Sequence, residues 1–157
     1  MRVFPRTLWI GLLTLLVAIP AVAENPSPYP GARSVDTGKP FAAFVEKLTG
    51  AIQANRMAVV AQACADCGAK TIGATIPGNR VLMVFRPDFA VRMLKASEAA
   101  GIEAPLRLYV TERPDGTARL TYRTPSQVFA PYGVAELDAM AGELDAIFAK
   151  IVDDALS

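Results

Sequence analysis

Residues 57–94 read MAVVAQACADCGAKTIGATIPGNRVLMVFRPDFAVRML, and this stretch decides the fold. It holds both cysteines of the chain, Cys64 and Cys67, together with its two most continuous apolar runs outside the N-terminus. The runs are separated by residues 77–79, Pro-Gly-Asn, which are typical of a turn. The stretch therefore predicts strands that are joined by short helical and turn segments.

Two strands and two helices are predicted within it. Residues 57–63, apolar except for Gln62, and residues 80–86, with five apolar residues between two arginines, are predicted strands. Alanines with a terminal glycine favour a short helix over residues 64–73. Five apolar residues in a row, Val81–Phe85, are typical of a strand that is covered on both faces. Asp88 is predicted to cap a further helix that ends near Gly101.

A strand and an amphipathic helix are predicted before this stretch. Residues 33–37 form a short candidate strand, and Thr37 is predicted to cap the helix, with Pro40 in its first turn. The helix buries apolar side chains at helical spacing, namely Phe41, Phe44, Val45, Leu48 and Ile52.

A hairpin and a long helix are predicted after it. Residues 106–113 and 117–123 flank Pro114-Asp115-Gly116, in which proline fixes φ and glycine takes the left-handed position. A three-residue loop sets apolar residues opposite one another on one face, namely Leu106, Leu108, Val110, Ala118, Leu120 and Tyr122. The C-terminal helix is amphipathic, with an apolar stripe of Leu137, Met140, Leu144, Ile147, Phe148 and Ile151.

The predicted order of elements is β-α-β-(short α)-β-α-β-β-α. Such an order, which ends in a hairpin and a helix, indicates the α+β class. We expect a mostly antiparallel sheet with the helices packed on one face.

Residues 1–23 are predicted to be a cleaved secretory signal. Arg2 and Arg6 form a basic start, the apolar run Leu8–Ile19 is too short to span a bilayer comfortably, and Ala21-Val22-Ala23 offers a cleavage site. The signal predicts an exported protein, periplasmic or secreted, in a compartment where disulfides persist.

The rest of the chain is predicted to be a flexible leader, residues 24–32 with three prolines, and a single domain, residues 33–157. Without the two signal arginines, 14 basic residues face 15 acidic ones. This near-neutral balance argues against nucleic-acid binding and against binding to anionic membranes. We expect no membrane contact after the signal is cleaved.

Several segments resemble the DUF302 family of uncharacterised domains. The segments are the F-x-x-F-V-x-x-L-x-x-A-I helix at Phe41–Ile52, IPGNRVLMVF at 76–85, DFAVRML at 88–94 and DGTARLTYRTP at 115–125. The resemblance covers roughly residues 34–134. It implies a compact α+β domain of the TATA-binding-protein-like fold class, which is often a homodimer and does not bind nucleic acid.

The resemblance implies no established activity. Many members of the family carry a histidine after the strand that corresponds to residues 57–63. This chain has no histidine and offers Cys64 and Cys67 in that region. A metal or acid–base role for that histidine therefore does not transfer to this chain.

The Cys-Ala-Asp-Cys segment is the one motif with inherent reactivity. Cysteines three positions apart share one side of a helical turn, so Cys64 and Cys67 can close a small disulfide or share a metal. Three interpretations stay open: a structural disulfide, a redox-active dithiol, and a soft-metal site such as Cu(I). For the metal, Met57, Met83 and Met93 are candidate thioether ligands.

A second candidate site is positively charged. The hairpin register sets Arg107 opposite Arg123, with Tyr109 on the same face, and Arg80 and Arg86 come from neighbouring elements. Like charges across a strand pair repel each other, and a shared small anion would explain their placement. The alternative is a solvated sheet face whose arginines pair with nearby acids.

Most enzyme classes are excluded by the absence of histidine, which removes the usual general base and every Ser-His or Cys-His pair. We therefore predict a non-enzymatic exported binding or accessory module with a small anionic ligand at the arginine face. The alternative is a thiol–disulfide redox or Cu(I)-handling protein that uses Cys64 and Cys67. A homodimer is expected, because residues 81–85 and the C-terminal helix offer more apolar surface than one layer of helices hides.

Overall fold

The computed structural model describes residues 31–157, in which five strands form one antiparallel sheet. The strands are β1 (Ala32–Pro40), β2 (Ala58–Cys64), β3 (Asn79–Phe85), β4 (Leu106–Glu112) and β5 (Thr117–Arg123). Their order across the sheet is β1-β5-β4-β3-β2, so β1 and β2 are its edges. The predicted signal, and the predicted leader up to residue 30, lie outside the described residues.

Five α-helices accompany the sheet: α1 (Phe41–Ala54), α2 (Ala65–Thr71), α3 (Pro87–Ala96), α4 (Pro125–Phe129) and α5 (Ala135–Leu156). Short 3-10 helices lie at Ala99–Glu103 and Ala130–Tyr132. No helix in residues 31–157 is long and apolar enough to cross a membrane. The predicted α+β class and the antiparallel sheet with helices on one face are confirmed.

The β4–β5 hairpin has the register that its apolar pattern predicts. Val110 pairs with Leu120 and Leu108 pairs with Tyr122. Leu108, Val110 and Leu120 are completely buried, because α1 packs on β4 and β5 on this face and α5 places Phe148 against Tyr122. The alternation of buried and partly exposed residues along both strands follows from this one-sided cover.

The opposite face of the sheet carries no helix in the described part of the chain. Along β3 only Leu82 and Val84 are buried, whereas Val81, Met83 and Phe85 are partly exposed. The apolar run 81–85 predicted a strand covered on both faces, whereas β3 is covered on one face only. We call the uncovered side the open face.

Two predicted helix caps are absent. Thr37 lies within β1, where its hydroxyl donates a hydrogen bond to the Ala118 carbonyl at 2.8 Å and ties β1 to β5. Asp88 does not cap α3, because the helix begins at Pro87 with Arg86 in the N-cap position, and Asp88 lies in its first turn, where it accepts hydrogen bonds from Arg86. That helix ends at Ala96, since Ser97 adopts an extended conformation and the 3-10 helix follows.

The burial of the central strands predicts that replacing two leucines has very different effects on the free energy of unfolding. Leu108→Ala in β4 should lower the free energy of unfolding by about 2–5 kcal/mol, because the side chain is fully buried and leaves a cavity. Leu94→Ala is the matched control, since Leu94 is 51% exposed, and should cost less than about 1 kcal/mol. Urea unfolding measures both, and equal losses would contradict the assignment of the core.

Candidate functional site

The two cysteines lie where β2 passes into α2. Cys64 is the last residue of β2 and the N-cap of α2, with an extended backbone (φ −122°, ψ 91°). Cys64 and Cys67 are joined by a disulfide, with their Cα atoms 5.2 Å apart. The Cys67 N–H donates a hydrogen bond to Cys64 Sγ at 3.1 Å. Cys67 is exposed and Cys64 is half-buried, so the bond is reachable from solvent at the Cys67 side.

Among residues 31–157, Asp66 is the one charged residue that is buried. Its Oδ1 forms an ion pair with Arg80 Nη1 and accepts the Asn79 N–H at 3.0 Å. The same oxygen lies 3.5 Å from Cys64 Sγ. One carboxylate oxygen therefore joins the disulfide turn to the first residues of β3, and its burial is offset by a paired charge and a hydrogen bond.

Arg80 is held on three sides. It lies opposite Cys64 in the β2–β3 register, on the face that the helices cover. Its guanidinium carbon is 5.5 Å from the centre of the Phe41 ring, within the range of a cation–π contact. Its Nη1 also donates to the Asn79 carbonyl at 2.9 Å. Arg80 is thus a structural partner of Asp66.

The turn before β3 is fixed by close packing and hydrogen bonds. A Cβ at Gly78 would collide with the Phe41 ring. The Gly78 N–H donates to Glu112 Oε2 at 2.7 Å, and the Glu112 N–H donates to the Gly78 carbonyl at 2.8 Å. These contacts fix the position of Asn79, and hence its hydrogen bond to Asp66.

The open face carries part of the predicted arginine site. Arg107 is exposed there, and Tyr109 receives a hydrogen bond from Asn79 Nδ2 at 2.6 Å. Arg123 Nη2 donates to the Gln127 carbonyl at 3.0 Å, while its Nε is buried and has no hydrogen-bond partner in residues 31–157.

The other two predicted arginines lie elsewhere. Arg80 is on the helix-covered face, and Arg86 follows the end of β3 that is farthest from Cys64. Arg86 packs over the Phe89 ring at 4.2 Å and hydrogen-bonds Asp88, which lowers the pKa of that carboxyl. The five residues proposed to hold one anion are therefore not brought together.

The candidate metal ligands are also divided. Ligand atoms of Cys64, Asp66 and Cys67 lie within 4.8 Å of one another. Met57 and Met93 are buried in the core, and Met83 projects toward the open face, opposite to Cys64. The thioethers that a soft metal prefers are thus not at the cysteine pair, and the third nearby donor is a hard carboxylate.

The sequence did not reveal that Asp66 is buried and hydrogen-bonded to Asn79. An aspartate between two cysteines has the appearance of a surface residue. A single signal was available, because Arg80 adjoins the apolar run 81–85, and an arginine that is partly buried in a sheet needs an acidic partner.

Comparison with known proteins shows the family of the chain. The family model described as "Domain of unknown function DUF302" matches residues 33–155. A crystal structure of an uncharacterized conserved DUF302 protein from Bacillus stearothermophilus is similar, with a TM-score of 0.72 and 19% identity. The similarity covers 80% of this chain and 98% of that chain, and at this identity it shows the fold alone.

No curated protein matches the chain. The family match nevertheless spans most of the sequence and confirms the resemblance of the Phe41–Ile52 helix and the segments that follow it. The chain belongs to the DUF302 family, a family of domains of unknown function.

Proposed function

We propose that this protein is a thiol–disulfide exchange protein whose redox couple is Cys64 and Cys67. The observation that carries the proposal is the bonded, solvent-reachable pair at the junction of β2 and α2. An exposed disulfide is accessible to an attacking thiolate, whereas a disulfide inside a core is not. The role suits an exported protein, which the N-terminal sequence predicts.

The neighbouring groups suit exchange at this bond. An incoming thiolate reaches the exposed Cys67 Sγ and displaces Cys64 as the leaving thiolate. The Cys67 N–H, 3.1 Å from Cys64 Sγ, stabilises negative charge on that sulfur. Asp66 and Arg80 anchor the turn to β3, so the two sulfurs stay near each other when the bond opens.

The other two interpretations receive less support from the geometry. A Cu(I) site lacks thioether ligands at the cysteines, because the three methionines lie in the core or on the open face. An anion-binding module remains a prediction with Arg107, Tyr109 and Arg123 as its residues, since Arg80 and Arg86 lie away from them.

The redox potential of the cysteine pair tests this proposal. In glutathione buffers of graded potential, the protein should show one two-electron transition with a midpoint above about −300 mV, because structural disulfides lie below that value. Thiol alkylation followed by mass measurement gives the oxidised fraction. A disulfide that stays oxidised below −300 mV would contradict the proposal and indicate a structural bond.

Variants separate this proposal from the anion-binding alternative. Cys64→Ser and Cys67→Ser should each abolish disulfide exchange with a dithiol, while Arg107→Ala and Arg123→Ala should leave its rate within about twofold. If the protein is instead an anion-binding module, Arg107→Ala and Arg123→Ala should lower its affinity for an anion. Cys64→Ser and Cys67→Ser should then leave that affinity unchanged. Circular dichroism of every variant controls for unfolding.

Asp66 provides a second prediction about the potential. Its carboxylate lies 3.5 Å from Cys64 Sγ and opposes negative charge on that sulfur. Asp66→Asn removes the repulsion and leaves the Arg80 charge beside the turn, so the reduced form gains stability. The midpoint potential should rise by roughly 30 mV, a tenfold change in the equilibrium constant.

Asp138→Asn is the matched control for that measurement, since Asp138 is exposed on α5. Its midpoint potential should equal that of the wild type. An unchanged potential in Asp66→Asn, with the fold intact, would show that the carboxylate does not act on the sulfur.

We propose in addition that the open face pairs with a second copy of the chain. Val81, Met83 and Phe85 form an apolar strip on this face that no helix covers in residues 31–157. Because the same strip is present on each copy, it can bury itself in a two-fold contact.

The oligomeric state tests this proposal. Met83→Asp should convert the dimer to a monomer, since a charge in the contact would lose its hydration. Ile102→Asp is the control, because Ile102 is 82% exposed and lies outside the open face, and should stay dimeric. Sedimentation velocity measures both, and a monomeric wild type would refute the proposal.

A further inference from the structure

The two edges of the sheet differ in chemistry. Edge strand β1 carries charged residues, Arg33, Asp36 and Lys39, and ends at Pro40, all features that prevent another strand from pairing. Edge strand β2, AVVAQAC, has no charged residue, no proline and no glycine. The protective features of natural sheet edges are therefore present at β1 and missing from the sequence of β2.

The outer edge of β2 is also uncovered. Five of its seven residues are exposed, and Val60 is 51% exposed. In the described part of the chain its only strand partner is β3, and no backbone hydrogen bond from a loop reaches it. Because alternate residues of an edge strand direct N–H and C=O groups away from the sheet, β2 offers unpaired donors and acceptors to an incoming strand.

The irregularity in β2 places the pairing surface beside the disulfide. The β2–β3 register shifts between Val59 and Ala61, where β2 contains a bulge. A bulge disfavours pairing at that end of the edge. From Ala61 to Cys64 the ladder is regular, and it ends at the residue that forms the disulfide.

Exposed apolar side chains lie on the segment that follows the disulfide helix. Ile72 is 81% exposed and Ile76 is 42% exposed, between α2 and the Asn79 that binds Asp66. Strand addition binds peptides through backbone hydrogen bonds, and contacts of alternate side chains give specificity.

We propose that the Ala61–Cys64 edge of β2 binds an extended segment of a partner protein that carries a pair of cysteines. The segment joins the sheet as an added strand, which brings a partner thiol to Cys67 Sγ. This inference rests on the proposed exchange function and names its substrate class, a dithiol in an extended polypeptide.

The exchange is balanced in atoms and electrons. The first partner thiolate attacks Cys67 Sγ, so that a mixed disulfide forms and Cys64 leaves as a thiolate. The second partner thiolate then attacks the partner sulfur of the mixed disulfide and releases Cys67. The partner loses two electrons and two protons and gains a disulfide, while Cys64 and Cys67 gain the electrons and protons and become a dithiol.

A charged edge tests the proposal. Ala61→Lys combined with Ala63→Lys places two charges on the β2 edge without changing either cysteine, on the open face beside Met83 and Val81. The rate of exchange with a short reduced peptide of alternating valine and threonine that carries two cysteines should fall at least about tenfold. The rate with dithiothreitol, which needs no pairing, should stay within about twofold. Met83→Asp, which disrupts the proposed dimer contact but leaves β2 unchanged, should keep the peptide rate of the wild type.

Ala146→Lys combined with Ala149→Lys is the matched control, since both alanines are exposed on α5. It should change neither rate. An equal fall of the peptide and dithiothreitol rates in the edge variant, or no fall in either, would overturn the proposal.

Hydrogen exchange of the backbone amides separates this inference from the proposed function. In a Cys64→Ser and Cys67→Ser variant, a peptide with serine in place of cysteine should slow the exchange of amides in Ala61–Cys64. Protection without thiol exchange in the wild type would sink the proposed function and leave strand binding intact. No protection of these amides by the peptide would overturn the inference. Protection that appears without peptide and rises with protein concentration would also overturn it, because a second copy of the chain would then occupy the edge.

Discussion

The helices that pack on the sheet cover one face only, and this one-sided cover determines which residues of β3, β4 and β5 are buried. Side chains that face α1 and α5, such as Leu108 and Leu120, exclude water and hold the sheet together. Their neighbours in sequence, such as Tyr109 and Met83, stay partly exposed on the open face. The core is therefore built from alternate residues, and the remaining residues are available for contacts with other molecules.

The disulfide corner, formed by Cys64–Cys67 with Asn79 and Arg80, shows how a polar site is attached to such a core. Asp66 lies in a short helix that has few contacts of its own with the sheet. Its bonds to Asn79 and Arg80 secure this helix to β3, and the Phe41 ring beneath Arg80 extends the connection to α1. The cysteines are thus reachable from solvent while the backbone that carries them is fixed on both sides, a combination that suits a reactive pair.

Much of the fold could be predicted because its signals are local. The alternation around Pro114-Asp115-Gly116 fixed the pairing of Val110 with Leu120, and the spacing of Cys64 and Cys67 indicated that their sulfurs can meet. Two features had no local signal. The α4 helix, Pro125–Phe129, is too short to show a helical period. The partners of Asp66 are 13 and 14 positions later in the chain, and only strand pairing brings them close.

The contact between Gly78 and Phe41 has a consequence for how the sequence can change. The ring occupies the volume that a side chain at position 78 would need, and the guanidinium of Arg80 lies near the same ring. A larger residue at 78 is compatible with the corner only if residue 41 becomes smaller. Substitutions at these two positions should therefore be coupled in evolution, and a single replacement at either one should reach the disulfide through Asn79 and Asp66.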